Sequence, residues 1–206
     1  MIAFLDKWQT LIGAILGGII ALGAALIVAY RAERRSDIAA AMQIIGTLVS
    51  VRTAGHLLDE LAEEKGIANP DDRAAWQAEK LVSLRPKLSP LFEASIARVM
   101  PLDVTTAAHL HFFLSQYLDL EEKLQRISSD IKELERTGKP ARDRNYMMAD
   151  AKHAARVFGA VVGHADCAEH LLTKFVLSKM ALWNRLWCGW FPDEQTTKCR
   201  KVLRDP

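Results

Sequence analysis

The stretch Leu11–Tyr30, LIGAILGGIIALGAALIVAY, limits what this chain can be more than any other part of it. It holds no charge, proline or amide side chain, and about twenty residues rising about 1.5 Å each make a helix of roughly 30 Å, the thickness of a bilayer's hydrocarbon core. The composition predicts a transmembrane helix over about residues 9–30. Trp8 and Tyr30 stand at its ends, where amphipathic rings settle in the interface, and Arg31, Arg34 and Arg35 follow at once. A cleaved signal peptide competes for the same residues. Its apolar core runs only about 7–15 residues behind a basic leader, whereas here the run is longer and Lys7 is offset by Asp6.

Counting basic residues on either flank orients the span. Lys7 stands alone before it, while Arg31, Arg34, Arg35 and Arg52 come after, so the C-terminal domain is expected on the cytoplasmic side with a very short N-terminus outside. The opposite placement, a periplasmic domain as in helical sensors or phage lysis proteins that tie two membranes together, is the rival. The opening Trp8–Ala14, WQTLIGA, resembles the start of many short bacterial, mostly proteobacterial, single-pass proteins of unknown function. The likeness covers a membrane-entry pattern alone. It implies a bacterial inner-membrane location and says nothing of activity.

Within the span Gly13, Gly17, Ala21, Ala25 and Ala29 recur every fourth residue. Small side chains at that spacing lie along one helix face and let two backbones approach closely in lipid, which points to self-association through this face. Glycine and alanine are also simply common in membrane helices, which is the competing reading.

Beyond the span the pattern is helical throughout, and the expected fold is all-α: one N-terminal transmembrane helix followed by a soluble bundle built on a long antiparallel helical hairpin. Residues 1–35 form the anchor, 36–182 the bundle and 183–206 an aromatic and basic tail. From Ser36 to Lys65, Ile44, Leu48, Val51, Gly55, Leu58 and Ala62 share a face, and Gly66 supplies a stop. No proline or glycine separates this helix from the span, so the two are expected to be continuous. Asn69-Pro70-Asp71-Asp72 is a helix start, with a capping side chain, proline at the first position and acids against the positive end of the dipole. Ser89-Pro90 repeats it for a short helix to about Met100.

The hairpin follows. Thr106, Leu110, Phe113, Tyr117, Leu120, Leu124, Ile127, Ile131 and Leu134 alternate in steps of three and four, Thr137-Gly138-Lys139-Pro140 breaks the run, and Ala154, Phe158, Val161, Ala165, Ala168, Leu172 and Phe175 resume it. Gly159 and Gly163, each costing about 1 kcal/mol in mid-helix against alanine, are expected to admit a close neighbour, the 36–65 helix. Near the C-terminus Trp183, Trp187 and Trp190 crowd a short segment. They either cap the core, the commoner fate of large aromatics, or lie in the inner headgroup layer beside Lys179, Arg185, Lys198, Arg200, Lys201 and Arg204. The polar tail after Pro192 is expected to be disordered.

Charge excludes one partner class. Lys plus Arg is 27 and Asp plus Glu 25, interleaved through the domain, so no concentrated basic face for nucleic acid is expected. Three cysteines form no CxxC pair, and an odd count in a reducing compartment argues against a disulfide framework. One cluster has metal-site residue types: His164, Cys167 and His170 on one helix, with His109 and His111 across the hairpin. A turn centred near Lys139 sets His109 and His111 level with His170 and Cys167, so a metal or haem site would use His109, Cys167 and His170. His164 and His170 point about 120° apart on a helix, and a closed zinc site needs four converging ligands, so no metal and no cofactor is assigned from spacing. His56 and His153 are read as solvated. No nucleophile elbow, phosphate-cradling loop or paired carboxylates at apolar positions can be found, and enzymatic activity is not expected. The reading is a membrane-anchored scaffold or interaction module, with lipid, a second copy of itself and an unknown protein as partners. The alternative is a tethered metal- or haem-binding sensor.

Overall fold

The structure, a computed structural model, describes residues 2–140, 142–178, 181–188 and 192–203, with the side chains of 2–7, 9, 10, 181, 182, 185 and 188 left aside. Trp190, Lys179 and Arg204 lie outside these residues, as does the side chain of Arg185. The fold is all-α, with no strand among the described residues. The chain divides into two compact units, Met1–Ala39 and Ala40–Pro206.

Helix α1 (Ile2–Glu64) supplies the first unit and enters the second without a break, as the lack of any breaker predicts. In the first unit it is long and apolar enough to cross a membrane, and none of that stretch is buried. Trp8 and Tyr30 at its ends are exposed, and a Cβ added at Gly13 or Gly17 would meet nothing.

The second unit packs around a main core, beside a smaller buried cluster of Cys167, Leu171, Phe175 and Cys199. Ala41, Ile44, Leu48, Val51 and Leu58 of α1 belong to the main core, and Ala62 is buried as well. Gly66, at φ +65°, turns the chain out of α1 while the Ile67 amide donates to the Ala62 carbonyl. Helix α2 (Pro70–Leu84) starts where Asn69 caps it by accepting from the Asp71 amide, and α3 (Phe92–Val99) follows and runs into a 3-10 turn, Met100–Leu102.

The hairpin is α4 (Val104–Thr137) and α5 (Arg144–Leu172), with Asp103 and Asp143 as side-chain caps and Gly138, at φ +68°, ending the first arm. The heptad positions from Thr106 to Ile127 are buried, as are those from Ala154 to Phe175. Ile131 is half-buried and Leu134 is exposed, so the seam stops short of the turn. The cause is the link. Arg142, just before α5, reaches back to α4, where its Nε donates to both oxygens of buried Asp130 (3.1 and 3.0 Å), and its Nη1 pairs with Asp150 at 2.9 Å. His109 consequently meets His164, six residues short of the His170 partner expected from a turn centred on Lys139.

The two glycines of α5 do not do what was expected of them. A Cβ on Gly159 or Gly163 would meet nothing, so neither admits a neighbour. The close approach is made from the other side, by Gly55 of α1, where a Cβ would stand 2.7 Å from Val162 Cγ2. Arg52, one turn earlier, bridges Glu169 (2.8 Å) and Asp166 (3.4 Å) of α5.

After Leu172, α5 widens into a π turn, Thr173–Leu177, with Phe175 and Val176 buried. Helix α6 (Ala181–Cys188) carries Trp183 and Trp187 at 53% and 48% exposure, so these two rings do not cap the core. The segment after Pro192 is not disordered among the described residues: it forms α7 (Glu194–Val202), with Thr196 and Cys199 buried.

Candidate functional site

Three helices bring four side chains to one buried place: His109 from α4, His164 and Cys167 from α5, and Cys199 from α7, each at most 6% exposed. His164 and Cys167 are three residues apart on α5, a spacing that puts both on one face. α7 arrives through its cap. Asp193 accepts from the Thr196 amide (2.8 Å) and from Lys174 Nζ (2.7 Å), and Lys174 also reaches the Thr196 hydroxyl (3.1 Å), which ties the start of α7 to the π turn and buries Cys199 one helical turn later. Partial burial alone would raise the Asp193 carboxyl, but the hydrogen bonds from Lys174 and Thr196 outweigh it and hold it well below the usual carboxylate range.

The hydrogen bonds settle the imidazole tautomers. His109 Nε2 lies 3.0 Å from the Cys199 carbonyl, which can only accept, so Nε2 carries a proton and donates. His109 Nδ1 is then an acceptor, and the His164 Nδ1 at 3.0 Å donates to it. The His164 ring stacks on Phe112, at 5.5 Å between centroids and 13° between planes. Burial, and then the neighbouring His164 ring, bring His109 down to about 4; burial lowers His164 as well. Both rings are neutral near pH 7, the form that offers a lone pair.

The ligand atoms of His109, Cys167 and Cys199 all lie within 4.8 Å of one another. Cys167 and Cys199 are free thiols whose sulfurs share a hydrogen bond; that bond and then burial push the Cys167 thiol well above the ordinary cysteine range. Leu171 and Phe175 close the apolar side. The set is soft and nitrogenous, with no carboxylate in it, which suits zinc and not magnesium or calcium. A porphyrin has no place among side chains already in contact with one another.

Of the residues singled out by sequence, His109 and Cys167 come together here. His170 does not: its Nε2 faces Asp193 at 3.9 Å, because position 170 is turned about 120° round α5 from His164. His111 and His56 are exposed, and His153 sits half-buried against Asp119 (3.1 Å). Cys199 escaped sequence reasoning because its segment was read as disordered, and His164, named in the sequence cluster, was passed over as a ligand in favour of His170 because the hairpin register was set three residues off along each arm. A signal for Cys199 existed: Pro192-Asp193-Glu194 joins proline, a capping carboxylate and an acid at the helix start, as Asn69-Pro70-Asp71 does for α2.

No family model matches the chain, and neither curated proteins nor solved structures give a significant match.

Proposed function

We propose that this chain is a single-pass protein of the bacterial inner membrane whose helical domain stands in the cytoplasm and works as a non-enzymatic interaction module. One observation carries the reading. The helix over Leu11–Tyr30 turns apolar side chains outward all round, and no part of the spanning stretch is buried. An apolar surface of that extent is stable only in lipid or against another protein.

The orientation rests on Arg31, Arg34, Arg35 and Arg52 against Lys7. Self-association through Gly13, Gly17, Ala21, Ala25 and Ala29 is supported by the open space around the two glycines, which leaves them free to meet a second helix. Exposed Trp183 and Trp187 favour contact with lipid headgroups over a role in the core.

Fractionation after cell breakage tests the anchor: the full chain is expected to sediment with membranes and resist a carbonate wash. Recovery in the soluble fraction with residues 1–35 still attached overturns the reading. A fluorescent protein fused after Pro206 is expected to fold and fluoresce, whereas an alkaline phosphatase fusion active at that position would put the domain outside.

A further inference from the structure

We propose that His109, His164, Cys167 and Cys199 form a tetrahedral zinc site that fastens α7 to the hairpin. The inference stands apart from the membrane reading and would hold were that reading wrong.

Four features of the cluster converge on it. The first is the donor set, two thiols and two imidazoles gathered from three helices, all buried and with three of the ligand atoms already within 4.8 Å of each other. Around zinc, with about 2.3 Å to sulfur and about 2.0 Å to nitrogen, such atoms would stand about 3.3–3.8 Å apart, so drawing His109, Cys167 and Cys199 onto one ion takes a contraction of up to about 1.5 Å, and His164, outside that group, would join it through its contact with His109.

The second is the pair of imidazoles. Two nitrogens on one tetrahedral zinc lie about 3.3 Å apart, and His109 Nδ1 and His164 Nδ1 face each other at 3.0 Å. The metal takes the place of the proton now shared between them, and His164 keeps its ring proton by moving it to Nε2.

The third is the bond from His109 Nε2–H to the Cys199 carbonyl (3.0 Å). A ligating histidine characteristically donates its other N–H to a carbonyl or carboxylate, which fixes the tautomer that leaves the ligating nitrogen bare. Here that acceptor belongs to the backbone of another ligand, so the ring and the helix bearing Cys199 are oriented together.

The fourth is charge. Zinc displaces one proton from each thiol, releasing two, and two thiolates neutralise the dication, so the loaded centre adds no net charge to an apolar site. α7 is otherwise short and polar. A covalent-strength tie at Cys199 gives it a reason to be ordered.

The test uses the full chain in mild detergent with Cys188→Ser as background, stripped with chelator and then titrated with Zn2+ and, separately, Co2+. One equivalent is expected to bind, with Co2+ giving the intense visible bands and thiolate charge-transfer absorption of a tetrahedral sulfur site. Cys199→Ser and Cys167→Ser are expected to weaken binding at least about a hundredfold, and His164→Asn to weaken it while shifting the cobalt bands. Should those variants fail to fold, X-ray absorption on the zinc-loaded unmutated chain decides: a shell with sulfur at about 2.3 Å supports the site, and a shell of light atoms alone overturns it. Absence of binding at micromolar Zn2+, binding that survives Cys199→Ser, or a Cys167–Cys199 disulfide in chain purified without oxidant would each overturn it.

Discussion

Among the described residues four glycines sit in mid-helix in the bundle, Gly46, Gly55, Gly159 and Gly163, and the structure assigns the same substitution opposite signs among them. At Gly159 and Gly163 a Cβ meets nothing, so Gly→Ala adds helix propensity alone and is expected to stabilise by up to about 1 kcal/mol at each. At Gly55 the same gain is opposed by a Cβ 2.7 Å from Val162 Cγ2 and 3.3 Å from Cγ1. Val162 cannot turn away, because a β-branched side chain on a helix has one strongly preferred rotamer and both methyls face the glycine. Overpacking of this kind costs about 1–3 kcal/mol, which leaves Gly55→Ala destabilising by up to about 2 kcal/mol after the propensity gain. The two classes of site should therefore differ by about 2 kcal/mol, well outside the error of a urea melt followed by far-UV circular dichroism on the full chain in detergent. The pairing is checked by the double variant: Val162→Ala removes both offending methyls, so Gly55→Ala should become neutral or stabilising in that background, a coupling of about 1–2 kcal/mol. If Gly55→Ala stabilises as Gly159→Ala does, α1 does not press on α5 at Val162 and the core described above is wrong there.

Further outcomes follow from the polar ties and from the apolar N-terminal helix. Arg142→Met leaves the buried Asp130 carboxylate with its main partner gone and should cost about 2–3 kcal/mol in the same melt, a figure kept below that of a fully buried pair because Arg142 is a third exposed. Asp193→Ala removes the cap of α7 and the Lys174 anchor together; about 1 kcal/mol of local stability should go, read as faster labelling of Cys199 by a thiol reagent in metal-free chain. Acid should do the same. The Asp193 carboxyl titrates lower folded than unfolded, so its contribution is present above the unfolded carboxylate range near pH 4 and is lost as pH falls below it, and labelling performed at decreasing pH, corrected for the reagent's own pH dependence, should accelerate there. Gly13→Ile with Gly17→Ile should abolish the signal in a membrane two-hybrid assay, and an unchanged signal removes the small-residue face.

The fold was largely legible because its determinants are local. Asn69 caps a helix through an amide two residues away, Gly66 and Gly138 end helices at positive φ, and the seam from Leu110 to Ile127 is a matter of spacing on one helix. What failed was register. A heptad pattern says which face of each arm is buried and nothing about how far one arm slides along the other; that is set by the link, and here Arg142 draws the link back along α4 to Asp130. The error also explains Leu134, apolar in sequence and exposed in the fold; the role given to Gly159 and Gly163 failed separately, because α1 meets α5 at Val162.

The site was half legible for the same reason. His109 and Cys167 could be chosen by type and approximate level, yet a site drawn from α4, α5 and α7 depends on two things that one helix does not encode: the slide of the hairpin, which exchanged His170 for His164, and the return of a polar nine-residue helix. That helix has little to bury except Thr196 and Cys199, and weak amphipathicity in a short segment reads as disorder. Zinc at Cys199 would resolve the discrepancy physically. Such a helix, capped by Asp193 and held by one thiolate on a shared ion, draws its order from ligation and not from area, so its stability should follow free Zn2+ through mass action, rising about 1.4 kcal/mol for each tenfold above the dissociation constant. Amide exchange in α7 measured at stepped Zn2+ would show that slope; exchange indifferent to zinc would mean that the cap and the buried Thr196 hold the helix unaided.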